Sequence, residues 1–233
     1  MKVGIVSDIH GNDLAVEAVL NSARKLGVER ILNAGDMVGY YFNPVRVLEL
    51  LSEWNLVSVR GNHEDMLMGI VDNISNLSKI EKKYGSGLRV AKETLSSEQL
   101  NYLKLLPEKI VVDCGESCKV LLCHGSPWDT DQYIYPDVAD DMLEKFNDID
   151  VDIIVMGHTH YPMKRAFKGC LLLNPGSVGQ PRNRKPGASW AILDTDAGSI
   201  ELRHEAYDVE HVAIESRFRH PELPYLADVL TRI

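Results

Sequence analysis

The chain has 233 residues, 45% of them hydrophobic and 25% charged, a balance that suits a globular protein able to bury a core without disulfides or a structural metal. Its formal net charge of −9 argues against a long nucleic acid as the main partner, because proteins that hold one turn a basic face to the phosphates. No run approaches the roughly 18 consecutive apolar residues of a membrane span, and Met1-Lys2-Val3-Gly4 opens a strand rather than a signal peptide, so no membrane partner and a cytoplasmic location are expected.

In chain order, Lys2–Ser7 reads as a buried strand and Asp13–Leu26 as a helix, with Ala15, Ala18, Val19, Ser22 and Leu26 on its apolar face and Gly27 as its stop. Arg30–Ala34 is a second strand. Asn43-Pro44 then starts a helix, proline fitting the first helical position, with Val45, Leu48 and Leu51 at helical spacing. Leu56–Arg60 is a third strand, so the first part of the chain predicts βαβ units and a parallel sheet. From about Asp65 to Leu106 the pattern is helical and polar-faced; Ser96 and Gln99 have capping-box spacing, with Leu95 and Leu100 placed as a hydrophobic staple.

Strands resume at Lys109–Asp113, Lys119–Cys123, Ile153–Met156, Cys170–Leu173, Ser189–Leu193 and Ser199–His204, and the short turns between several of them predict antiparallel pairs. Cys114 and Cys118 flank a Gly-Glu-Ser turn, a spacing that joins two strands rather than binding metal, and Cys123 and Cys170 read as small apolar residues. Residues from about Glu210 to Ile233 read as helix, proline-interrupted turn and helix, with Leu226, Val229 and Leu230 as a face that covers the core or pairs subunits into a homo-oligomer. No repeat or linker divides the chain, and a single domain over residues 1–233 is expected.

The strand ends carry the polar clusters: Ser7-Asp8-Ile9-His10-Gly11-Asn12, Gly35-Asp36, Arg60-Gly61-Asn62-His63-Glu64, Cys123-His124-Gly125 and Gly157-His158-Thr159-His160. Ligands of α/β sheets bind outside the carboxyl ends of strands, so these clusters should converge. Asp8 and His10 stand two apart on a segment read as extended, as do His158 and His160, so each pair can face one side. Imidazoles and carboxylates without thiolates suit Mn, Fe, Co, Ni or Zn, and two divalent ions account for the inventory better than salt bridges among so few carboxylates.

In these five blocks, D-x-H, GD, GNH, H and GHxH in that order, the chain resembles the calcineurin-like metallophosphoesterase superfamily from residue 3 to about 183. The resemblance implies an α/β fold, a two-sheet mixed β sandwich flanked by helices in four α/β/β/α layers. It implies that Asp8, His10 and His160 hold one metal, that Asn62, His124 and His158 hold the other, and that Asp36 bridges them. His63 would be the catalytic residue that protonates the leaving alcohol or stabilises its charge, and the reaction would be hydrolysis of a phosphate ester by a hydroxide between the metals. After Gly35-Asp36 the chain runs Met37-Val38-Gly39-Tyr40, without the arginine or acid that protein phosphatases and diadenosine tetraphosphatases carry there. In that, and in Asn174-Pro175-Gly176-Ser177, it is similar to the small prokaryotic YfcE-like phosphodiesterases.

The expected substrate is a small phosphorylated metabolite, nucleotides being the leading class. A dinucleoside polyphosphate hydrolase and a non-catalytic scaffold on the same fold are the alternatives, the latter disfavoured by the presence of His63. Arg182 reads as a phosphate clamp or as a solvated loop residue. Tyr40, Tyr41, Phe42, Trp128, Tyr133 and Tyr135 either stack on a base or pack between loops. Asp13, Glu64 and Asp65 read as solvated helix-start residues, and His204, His211 and His220 as residues outside the site.

Overall fold

Strand β1 (Lys2–Val6) sends Val3 and Ile5 to one side and Val6 to the other, and this period of two sets the layers of the molecule. In the computed structural model, which describes residues 1–115 and 118–233, β1 pairs in parallel with β2 (Arg30–Asn33), and β2 with β3 (Leu56–Ser58). β9 (Ala188–Asp194) lies antiparallel on the other side of β1, Ile5 opposite Ala191, and β10 (Ser199–Glu205) completes the order β10-β9-β1-β2-β3. The second sheet runs β4-β5-β6-β8-β7: β4 (Lys109–Asp113) is antiparallel to β5 (Lys119–Cys123), β5 is parallel to β6 (Ile153–Val155), β6 is parallel to β8 (Cys170–Asn174), and β7 (Met163–Phe167) is antiparallel to β8.

Between the sheets lie Val3, Ile5, Leu32, Val120, Leu122, Val155, Leu173 and Ala191. Each such side chain, fully buried, contributes about 1.5–3 kcal/mol. The outer face of the first sheet presents Val6, Ile31, Trp190 and Ile192 to α1 (Asp13–Lys25), α2 (Pro44–Ser52), α3 (Asn62–Val71) and α5 (Gly87–Thr94). The outer face of the second presents Leu121, Cys123 and Ile154 to α7 (Asp140–Leu143) and the 3₁₀ turn Glu144–Asp148. Two mixed sheets flanked by helices are the architecture the motifs implied. No helix among the described residues is long and apolar enough to cross a membrane.

Several expectations are corrected. α1 buries Ala15, Val16, Val19, Leu20 and Ala23, a stripe rotated from the expected one; Ala18, Ser22 and Leu26 lie at its margin, because the helix beds against both the sheet and α2. The helical stretch starts at Asn62 and is broken into α3, α4 (Leu77–Tyr84), α5 and α6 (Ser97–Leu105), with Ser96 and Gln99 forming the expected capping box. β7 was not anticipated: its Lys164 and Arg165 make it look like a loop, yet charged residues are what an edge strand carries. The expected Gly115-Glu116-Ser117 turn falls partly on residues 116 and 117, outside the described residues. The C-terminal helices α8 (Val209–Arg219) and α9 (Tyr225–Thr231) cover the core: Val212, Leu226, Val229 and Leu230 pack on Tyr40, Tyr41 and Phe42, and the Tyr41 hydroxyl donates to the Leu226 carbonyl at 3.1 Å.

Candidate metal centre

The backbone that presents the site is unusual before any side chain is considered. Asp8, His10, Asp36, His158 and His160 all have φ between 54° and 65°, the left-handed region. L-residues other than glycine enter it at a cost of roughly 1–2 kcal/mol each, so the surroundings must impose it. Cross-strand loop bonds do so: Asp8 N–H donates to Gly35 O (3.1 Å), His10 N–H to Asp36 O (2.9 Å) and Gly11 N–H to Met37 O (2.9 Å). The expected extended geometry at Asp8–His10 and His158–His160 is therefore corrected, since β1 ends at Val6 and β6 at Val155. Each pair still converges, because two left-handed residues flank an intervening one.

Asn174-Pro175-Gly176-Ser177 packs behind these loops. Asn174 Nδ2 donates to Gly157 O (2.6 Å) and Thr159 Oγ1 (3.0 Å), and Ser177 Oγ donates to Asp8 O (2.7 Å). Glycine is required close by: a Cβ on Gly61 would sit 2.2 Å from Asp36 Oδ1, and one on Gly39 2.3 Å from His63 Nδ1.

The donor atoms gather in two groups. In the first, His10 Nε2 is 3.1 Å from His160 Nε2, and Asp8 Oδ1 is 3.4 Å from His160 Nε2 and 3.9 Å from His10 Nε2. In the second, Asn62 Oδ1, His124 Nε2 and His158 Nδ1 stand 3.1–3.2 Å from one another. Asp36 Oδ2 lies between the groups, 3.3 Å from His124 Nε2 and 3.8 Å from His10 Nε2. Ligands about 2.1 Å from one ion stand roughly 3.0–3.4 Å apart, so the spacing fits a metal in each group.

Tautomers strengthen the fit. The outward nitrogens of His10, His124, His158 and His160 face the carbonyls of Val38 (3.2 Å), Ala34 (2.7 Å), Asp131 (3.1 Å) and Gln180 (2.6 Å). Carbonyls only accept, so those nitrogens carry the protons, and in the neutral rings of His10, His158 and His160 the inward nitrogens carry lone pairs. The lone pairs of His10 and His160, aimed at each other across 3.1 Å, repel unless a cation stands between them.

The charges agree. Burial holds His10 and His160 well below the usual imidazole range and His158 at about 4. Burial also pulls His124 down, but the neighbouring Asp36 carboxylate overrides it and raises His124 to about 10. For Asp36, burial is outweighed by the charges of His124, His63 and His10, which hold it well below the carboxylate range, whereas burial pushes Asp8 up to about 7.

His63 lies beside these groups, 3% exposed, with His10, Tyr40 and Tyr84 rings 4.6, 5.0 and 5.1 Å away. Its N–H in the backbone donates to Asp36 Oδ1 at 2.9 Å, while its Nδ1 has no partner, in keeping with the missing acid after Gly35-Asp36. Its ring also offers a nitrogen within 4.8 Å of donor atoms of His10 and Asp36. Tyr40, Tyr41 and Phe42 are packing residues, all at most 5% exposed, whereas Tyr133 rests on the His158 ring with centroids 4.0 Å apart. Arg182 Nη2 donates to Tyr40 Oη (3.2 Å) and Gln180 Oε1 (3.3 Å), beside the centre rather than in a solvated loop.

Glu64 is the residue that the sequence reading misjudged. It is fully buried, and its carboxylate accepts from four backbone N–H groups: Gly61 (2.7 Å) and Asp36 (2.9 Å) on Oε2, Met37 (2.7 Å) and Val38 (3.3 Å) on Oε1. It thereby ties the Asp36 turn to the start of α3. Burial pushes it up to about 7, opposed by the Gly61 and Asp36 N–H groups. The available signal was Gly61 at the N-cap, which has no side chain to cap with, and a turn at Gly35-Asp36 whose amides need an acceptor. In Glu64→Gln, either orientation of the amide points an NH₂ at two N–H donors. A loss of about 2–4 kcal/mol is expected in urea unfolding; an unchanged midpoint would mean the four bonds contribute nothing net.

Comparison with known proteins gives one family and consistent relatives. The family model described as the calcineurin-like phosphoesterase superfamily domain matches residues 1–198. An uncharacterised protein of Methanocaldococcus jannaschii, MJ0912, is 32% identical over 225 residues, covering 89% of this chain and 88% of its own. The phosphodiesterase YfcE of Escherichia coli K12 is 25% identical over 224 residues, covering 92% and 98%. The crystal structure of a metallophosphoesterase from Sphaerobacter thermophilus superposes with a TM-score of 0.79 at 29% identity, over 100% of this chain and 98% of that one.

Proposed function

The chain belongs to the calcineurin-like phosphoesterase superfamily, and on that premise we propose that it is a two-metal hydrolase of phosphate esters, acting on a small phosphorylated metabolite with a nucleotide as the leading class. The observation that carries this reading is the pair of donor groups whose lone pairs face one another around Asp36. Asp8, His10 and His160 would hold one divalent ion and Asn62, His124 and His158 the other, with Asp36 shared. Bound there, Mn, Fe, Co, Ni or Zn would supply Lewis acidity, lowering the pKa of water and neutralising the phosphate oxygens.

The protein's own groups do the rest. The carbonyls of Val38, Ala34, Asp131 and Gln180 hold the outward nitrogens of the four imidazoles and aim their inward nitrogens at the ions. Burial lowers His63 to about 4, so its ring is neutral near pH 7. A neutral ring stabilises the departing oxygen through an N–H hydrogen bond rather than by giving up a full proton, which favours the second of the two roles expected for it. The rings of Tyr40 and Tyr84 hold it in place where an orienting acid is missing.

Turnover of bis(p-nitrophenyl) phosphate and p-nitrophenyl phosphate tests the reading. Chelation should abolish hydrolysis, and adding back one of these ions should restore it together with close to two bound ions per chain by elemental analysis. Full activity after the ions are stripped, or no activity with any of the five, would overturn it.

A further inference from the structure

Beside Arg182 opens a cleft of about 620 Å³ whose walls include Tyr135, Tyr161, Arg182, Tyr225 and Arg232, with Asp137 at its exposed rim. Two features make it more than a surface dent. Arg232 Nη2 donates to the Arg182 backbone carbonyl at 3.1 Å, so both arginines contribute to one cleft in a protein of net charge −9. The Nε atoms of both arginines are buried without a hydrogen-bond partner. Buried guanidinium groups normally find an acceptor for each donor.

Tyrosines also pack in a row from the metal centre to the wall of the cleft. Tyr133 lies on His158 (4.0 Å between centroids), Tyr135 stacks on Tyr133 (5.6 Å, 15° between planes), and Tyr161 meets Tyr135 edge-on at 6.0 Å. On the other flank, Tyr40 links Arg182 to His10, whose ring it meets edge-on at 4.7 Å. Tyr225 and Arg232 lie past residue 198, where the family match ends, so two walls of the cleft come from the C-terminal segment.

We propose that this cleft is a second subsite of the same active site, and that the substrate is a nucleotide carrying a second phosphate away from the scissile ester. The proposal rests on the hydrolase reading above. Arg182 and Arg232 take the second phosphate, since a guanidinium matches its oxygens and, among the described residues, theirs are the cationic side chains that line the cleft. The exposed faces of Tyr135 and Tyr225, 40% and 41% accessible, offer stacking to the flat base. Asp137 disfavours an anion at the rim alone, which places the phosphate deeper, against the arginines.

The test compares binding of adenosine 3′,5′-bisphosphate and adenosine 5′-monophosphate to the metal-loaded protein by calorimetry. The bisphosphate should bind about 10–100-fold more tightly, and Arg232→Ala should remove most of that difference by weakening the bisphosphate far more than the monophosphate. Arg232→Gln, which retains a donor for the Arg182 carbonyl, should lose the preference too if the charge is what matters. Equal affinities in the unaltered protein overturn the subsite. So does an Arg232→Ala loss that is the same for both nucleotides, because that marks a residue that only supports the Arg182 loop. If no phosphate ester is turned over, the hydrolase reading falls, and the calorimetric difference still decides whether the cleft binds a second phosphate.

Discussion

Asp36→Asn should lower bound metal from about two ions per chain and reduce turnover by about 10³-fold or more, both in the same preparation. The fold should survive, because an asparagine carbonyl can still accept the His63 backbone N–H that Asp36 Oδ1 accepts at 2.9 Å. What changes is the atom between the two donor groups. Asp36 Oδ2 stands 3.3 Å from His124 Nε2 and 3.8 Å from His10 Nε2, and an NH₂ there presents protons where both ions need an anionic oxygen. Elemental analysis and steady-state rates decide the matter. A variant with both ions retained would show that Asp36 does not bridge.

His63→Ala should keep both ions and lose about 10²–10⁴-fold on esters with an alkyl leaving group, and far less on nitrophenyl esters. The difference follows from chemistry at the departing oxygen. A ribose alkoxide needs an N–H to stabilise it as it leaves, whereas a nitrophenolate leaves unaided. The structure adds a reason to expect a clean result. His63 is held by the His10, Tyr40 and Tyr84 rings and has no Nδ1 partner, so its removal breaks no side-chain hydrogen bond. Equal losses on both ester classes would limit His63 to positioning the phosphate. A missing ion would instead make it a ligand, an arrangement that its approach to His10 and Asp36 allows.

How much of this was legible in the sequence depended on the kind of signal. The strands carrying Asp8, Asp36, His124 and His158 could be read because short apolar runs end abruptly in glycine and polar residues, a pattern that survives without knowledge of tertiary contacts. Order and spacing of the motif blocks then implied which side chains meet, and their donor atoms do gather. The α1 stripe was read one step around the helix because periodicity gives a period but not the direction from which a second neighbour, α2, will press. Glu64 was misread for a similar reason. An acidic residue in the first turn of a helix is ordinarily solvated, and only the three-dimensional approach of the Gly35–Val38 turn makes it an acceptor for amides 26–28 residues away. Left-handed backbone at five polar residues leaves no trace in composition at all, since none of them is glycine. The cleft beside Arg182 was hidden because Arg232 is brought to it by a tail 50 residues further on.

The strand order has a consequence for how the centre comes into being during synthesis. Every proposed ligand lies between Asp8 and His160, yet β1, which leads into Asp8 and His10, receives its antiparallel neighbour only when Ala188–Asp194 has been made. Until then β1 is an edge, paired to β2 alone, and the loop that must hold two residues in a costly conformation hangs from an unfinished sheet. A ribosome-bound chain that has just emerged through His160 therefore possesses all the proposed metal ligands and lacks the strand that borders β1.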